Sequence, residues 1–239
     1  FPANLPVWKG SCLNCHDTHS VQGSRRLLRE GTDSTATPKS GGNPAIEQTC
    51  YQCHSALAQS ILTNVTSVPN IRSDFELPRR MPISNADQGD VEVHDIGTGT
   101  GTQRGKDFVE APVLLGKGAP GNRHVECTDC HNPHRVTKNR LFNANPATPD
   151  AAGTHNHAAG HTNIASGVLR GTTGVEPVYG GAAFGTNPLS FDFKRGDGGI
   201  AASTLVTSPW VTREYQVCLK CHSNYAYDTP PALGATAGG

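Results

Sequence analysis

All eight cysteines of the chain fall in four copies of one five-residue pattern: CLNCH, CYQCH, CTDCH and CLKCH. The pairs are Cys12 and Cys15, Cys50 and Cys53, Cys127 and Cys130, Cys218 and Cys221. Each is followed at once by a histidine: His16, His54, His131 and His222. On one turn of helix, positions i, i+3 and i+4 face the same side. Two thiols can therefore bond covalently to one edge of a haem while the histidine reaches the iron from one face. The pattern is the attachment signature of c-type haem. It predicts four haem c groups, with the eight cysteines as covalent anchors and the four histidines as proximal ligands.

C-x-x-C also serves zinc ribbons and thioredoxin-like redox sites. Two zinc sites with four cysteine ligands each would need no histidine after the second cysteine, yet every copy has one. A dithiol redox site calls for a strand and a helix around a single pair, and no such pattern surrounds these.

The composition independently calls for a large apolar cofactor. Leu, Ile, Val and Phe make up about 19% of the 239 residues, thin for a self-sufficient core. At high net charge that would mark disorder, but Lys+Arg 20 balance Asp+Glu 20. Flat, apolar macrocycles, one per about 60 residues, would replace the missing side-chain volume. The chain without haem is then expected to be largely unfolded. Balanced charge argues against a nucleic-acid partner and against strong steering to one charged partner. No run approaches the ~18 apolar residues of a membrane span; APVLL at 111–115 is among the longer ones. The opening at Phe1 is read as that of a mature product after signal removal. Covalent attachment of haem c outside the cytoplasm agrees with that expectation.

The motifs begin at residues 12, 50, 127 and 218, so their spacings are 38, 77 and 91 residues. The intervals are rich in Gly, Pro, Thr, Ser and Asn, and stretches 31–44 and 96–105 read as loops. The second, IGTGTGTQRG, lacks the Lys-Ser/Thr ending of a phosphate loop. Asn43 and Pro44 form a cap and first-turn signal that predicts a helix over 44–63. Ser208 and Pro209 repeat it ahead of Val211, Tyr215, Cys218 and His222, which step by 4, 3 and 4 along one helix face. Residues 91–93, VEV, read as a short strand. The expected fold is a multihaem cytochrome c: mostly irregular coil, short helices around four covalently bound haems, very little sheet, and one domain over 1–239.

Counting ligands bears on function. Eleven histidines less the four proximal ones leave His19, His94, His124, His134, His155, His157 and His161. Four irons need at most four distal ligands, so the chain can close every iron. A haem with two protein ligands has no open position for substrate, which favours electron transfer over catalysis. His19 in CHDTH and His134 in CHNPH stand three residues beyond a proximal histidine. Neither can bind the iron of its own motif, so each is read as a distal ligand to another haem, with Pro133 bending the chain before His134. His94 in VEVHD, His124 in NRHVEC and His161 of HNHAAGH are the further distal candidates. His155 and His157 read as solvent-facing or propionate-bonded. Met81, the only methionine, is a weaker alternative ligand. Arg25, Arg26, Arg79 and Arg80 read as solvated surface.

Four C-x-x-C-H motifs, a first motif near a start with Phe followed by DTH, and long low-complexity spacers resemble the OmcE-type extracellular cytochrome filaments, a tetrahaem nanowire family. The resemblance covers most of the chain in layout, while only the motifs are specific. It implies head-to-tail stacking of identical subunits into a helical homopolymer with one continuous chain of haems. It also implies an extracellular, secreted location, electron donors at the outer surface upstream and extracellular acceptors downstream. Carried over by position, His19 would ligate a haem of the adjacent subunit. The rival readings are a soluble periplasmic tetrahaem shuttle, closing all distal positions within one chain, and a multihaem reductase, which needs an open iron. No C-x-x-C-K variant is present, so no enzymatic activity is expected. Asn64-Val65-Thr66 matches a glycosylation sequon and carries little weight.

Overall fold

The computed structural model describes residues 12–16, 47–56, 60, 68–76, 127–137, 163–181, 183, 185–199 and 203–226. All four C-x-x-C-H motifs lie among them. The expected loops at 31–44 and 96–105 and the expected strand at 91–93 lie outside them. The chain divides into two units, one of Phe1–Cys12, Val109–Arg123 and Thr128–Gly239, the other of Leu13–Phe108 and His124–Cys127.

Among the described residues the helices are short, as expected: α1 Cys12–Cys15, α2 Glu47–Tyr51, α3 Ile71–Glu76, α4 Cys127–Cys130 and α5 Glu214–Cys218. The helix expected over 44–63 does not run that far. It ends at Tyr51, and residues 52–55 turn and bend. The N–H groups of Cys53 and His54 both donate to the Cys50 carbonyl, and the His54 carbonyl accepts from the Arg72 N–H at 3.0 Å. The main chain after the motif is thus engaged by a different segment and cannot propagate the helix. α3 has its own start signal: Asn70 Oδ1 accepts from the Ser73 N–H at 3.3 Å, a cap at the position before Ile71. Arg72 lies over the Tyr51 ring, 5.5 Å from its centroid.

In the larger unit, strands β1 Gly174–Val178 and β2 Ser190–Lys194 pair antiparallel, Gly174 opposite Lys194 and Val178 opposite Ser190. Very little sheet was expected, and among the described residues this hairpin is the whole of it. Phe191 and Phe193 of β2 both meet Tyr225, the first edge-on at 5.8 Å between centroids and the second stacked at 6.4 Å. Lys194, 2% exposed, ends β2 by donating from Nζ to the Ser208 carbonyl at 2.9 Å.

α5 also departs from the expected cap. Ser208 is buried and its hydroxyl donates to the Ser203 carbonyl, while the helix starts after an extended Arg213. Arg213 forms an antiparallel bridge with Ile164. Gln216, fully buried, accepts at Oε1 from the N–H groups of Thr212 and Arg213 at 2.8 and 3.0 Å, satisfying donors at the helix start from within. Its Nε2 donates to Glu176 Oε2 at 2.8 Å, which ties α5 to β1. Val211 consequently sits outside the helix, in a small apolar cluster with Ala165 and Val217, and Cys130, Ile164, Leu169 and Trp210 pack against that cluster.

Candidate metal centres

Each motif forms the helical turn that haem attachment requires. α1 and α4 span the two cysteines of the first and third motifs. In the second, Cys53 and His54 donate to the Cys50 carbonyl at 3.1 and 2.9 Å. In the fourth, Cys221 and His222 donate to the Cys218 carbonyl at 3.2 and 3.0 Å. The two turns are alike although one follows α2 and the other ends α5. The first cysteine is exposed at Cys12 and Cys218 and half-buried at Cys50 and Cys127, and every second cysteine is half-buried.

Two of the motif histidines are held through Nδ1. His54 Nδ1 lies 3.2 Å from the Pro69 carbonyl and His131 Nδ1 lies 2.7 Å from the Val168 carbonyl. A carbonyl only accepts, so Nδ1 carries the proton in both. Nε2 is then the unprotonated nitrogen, the one that could bind an iron, and the bond through Nδ1 fixes the ring's orientation. Pro69 stands just before the cap of α3. Val168 lies in the 3-10 turn Gly167–Leu169, where short helices leave carbonyls without internal partners. Neither acceptor has a side chain that announces it.

His134 is exposed in the turn after the third motif. Asn132 shapes that turn more than Pro133 does. Its carbonyl accepts from the N–H groups of Arg135 and Val136, both at 2.9 Å, its Oδ1 from the His134 N–H at 3.0 Å, and its Nδ2 donates to the Gly171 carbonyl at 2.9 Å. Asn before Pro is a turn signal, so this role was readable in the sequence. The other distal candidates, His19, His94, His124 and His161, lie outside the described residues, as do His155, His157, Met81 and Arg25, Arg26, Arg79 and Arg80.

The residues present fit haem better than the rival groups. None of the eight cysteines is in a disulfide. Burial pushes the Cys53 thiol up, the opposite of the lowered value of a reactive dithiol. Tetrahedral zinc needs its donors gathered about one point, and among the described residues no three His, Cys, Asp or Glu side chains are so gathered. Among the described residues, three buried polar atoms have no hydrogen-bond partner: Gln52 Nε2 within the second motif, Ser55 Oγ directly after it, and Thr137 Oγ1 just beyond the third. All three can donate, which suits a cofactor edged with carboxylates.

A family model described as a doubled CXXCH motif matches residues 4–59, the span that holds the first two motifs. The match indicates a multihaem c-type cytochrome. Its residues are those that the turn geometry singles out, Cys12, Cys15 and His16 with Cys50, Cys53 and His54. The third and fourth motifs lie beyond the matched span and repeat the same turn. No curated protein and no solved structure matches the chain.

Proposed function

We propose that the chain is an electron-transfer protein with haem c at all four C-x-x-C-H turns and no catalytic chemistry of its own. The observation that carries this reading is the tethering of His54 and His131 by Nδ1 to main-chain carbonyls, each within a helical turn that presents two thiols. Haem, when attached, supplies a one-electron iron couple. The chain's part is to anchor it through paired cysteines, hold the imidazoles in orientation, and fill the second axial positions. His134 is the described residue proposed for one of these, and His19, His94, His124 and His161 are proposed for the others. The test is the intact mass and visible spectrum of haem-matured protein. Four covalent haem additions and a low-spin spectrum are expected; zinc in place of haem, or an open high-spin iron, would overturn the reading.

The finer proposal is an extracellular filament of identical subunits joined head to tail, with His19 ligating a haem of the next subunit. It would accept electrons from donors at the outer surface and pass them to extracellular acceptors. The layout of the four motifs, the DTH after the first, and the Gly- and Thr-rich spacers support it by resemblance. A heterologous contact that does not close generates a filament, and an imidazole–iron bond would make it strong and directional. Replacing His19 with Ala should leave four haems in place and abolish filaments in negative-stain electron microscopy. Filaments from that variant would sink the bridging role. Discrete wild-type particles over a wide concentration range would place the distal ligand inside one chain, as in a soluble shuttle.

A further inference from the structure

Lys220 stands just before the second cysteine of CLKCH, and it is only 1% exposed. An ammonium withdrawn from water needs acceptors for its three donors. Lys220 Nζ donates to the main-chain carbonyl of Asp129 and, at 2.9 Å, to Thr173 Oγ1. Asp129 occupies the corresponding position of the third motif, CTDCH. One side chain thus joins two attachment turns that are 91 residues apart in sequence.

The bond has a local cause. α4 is four residues long, so its terminal carbonyls have no partner inside the helix. A cation is favoured at that end. The Thr172 hydroxyl donates to the same Asp129 carbonyl at 3.4 Å, so the neighbours Thr172 and Thr173 stand between the two turns. Gly174 follows them in close approach to α5, where an added Cβ would lie 2.9 Å from the Gln216 carbonyl oxygen. Cys130 of the third motif packs on the cluster that holds Val217 of α5. The third and fourth turns are therefore one packed body, and its buried charge comes from a motif residue.

We propose that Lys220 is a positioning residue that locks the third and fourth attachment turns into a fixed pair and, by its buried positive charge, stabilises the reduced state of the two haems they carry. The proposal rests on the haem reading above. A unit charge about 10 Å from a redox centre, at an effective dielectric near 20, changes the reduced-to-oxidised ratio on the order of tenfold.

The test is spectroelectrochemical titration of haem-matured wild type, K220M and K220R, with haem occupancy of each motif read by peptide mass. In K220M, two of the four haems should become harder to reduce, their reduced-to-oxidised ratio at fixed potential falling about tenfold, while the other two keep theirs. K220R, which retains the charge, should stay near wild type. Titrations of K220M that overlay wild type would overturn the proposal, and so would an equal shift in K220R, which would mark damage to packing alone. If K220M loses haem, loss confined to the third and fourth motifs supports the locking role, and loss spread over all four overturns it. Wild type without haem would defeat the haem reading itself, a distinct result.

Discussion

At the scale of single residues, charges are held by named partners, and their pH dependence follows. Burial opposes ionisation of Asp197, but hydrogen bonds from Arg170 and the Gly199 N–H, with the charges of Arg170 and Arg135, outweigh it and hold the carboxyl below its ordinary 3.8. The Arg170 Nε lies 3.0 Å from Asp197 Oδ1, and both side chains are buried. A carboxyl whose value is lowered on folding contributes stability at pH above its unfolded value and loses it as pH falls through the folded one. The 163–199 region should therefore weaken below about pH 3.8. Asp197→Ala strands the buried Arg170 guanidinium, and thermal unfolding at neutral pH should show a loss of about 3 kcal/mol. A variant as stable as wild type would remove this ion pair from the account. Tyr215 behaves in the opposite sense. Burial, then the Glu176 carboxylate that its hydroxyl reaches at 3.0 Å, push its phenol up to about 12 from 10.0. A raised phenol contributes stability that is complete below pH 10 and is lost as pH rises towards 12. Glu176→Gln should bring the phenol down while burial keeps it above 10.0, and the difference in phenolate absorbance between variant and wild type reads it.

Among elements, the attachment turns were legible and their supports were not. C-x-x-C-H sets the geometry of its own turn through residue spacing alone, so the four turns follow from the sequence. The hairpin carried weaker signals. β2 alternates Phe191 and Phe193 with polar residues, but β1 is five residues long and contains Pro177, which ordinarily argues against a strand. An eleven-residue stretch with glycines separates the two. The start of α5 was misplaced because Ser208–Pro209 is the stronger local signal, whereas the donors at Thr212 and Arg213 are met by Gln216 from inside the helix. Carbonyl acceptors such as those of Pro69 and Val168 have no sequence signature, because every residue has one. Gly174 gives this scale its test. An added Cβ there would lie 2.8 Å from Val211 Cγ2 and 2.9 Å from the Gln216 carbonyl oxygen, and the latter, being main chain, cannot yield cheaply. Gly174→Ala should cost about 1–3 kcal/mol by overpacking. Its thermal midpoint should fall while haem occupancy is retained, and an unchanged midpoint would show that β1 can withdraw from α5.

For the whole molecule, the distribution of apolar burial decides what holds the chain together. The cluster in the larger unit is Ala165, Val211 and Val217, with Cys130 among the residues packed on it. Among the described residues the largest fully buried side chains include Lys220, Gln216 and Thr212, whose polar groups need partners before burial is favourable. An apolar cluster of this size contributes little against the backbone entropy of ordering the described segments around it. Covalent haem attachment, as proposed above, would alter the balance in two ways. Each macrocycle would add apolar surface at the turns, and each pair of thioether bonds with an axial histidine would restrict the unfolded chain at a motif. Folding and haem attachment would then be one process, as in small domains that fold only with their metal. Chain produced without haem maturation should show no cooperative thermal transition by circular dichroism and little amide protection over 163–226, whereas the matured protein should show both. Replacing Cys218 and Cys221 with Ala should reduce protection in α5 and the hairpin first, because Glu176, Tyr215 and Gln216 link those elements to the fourth turn. Cooperative melting of the haem-free chain would mean that the small cluster and its polar ties suffice, and that haem occupies a scaffold already folded.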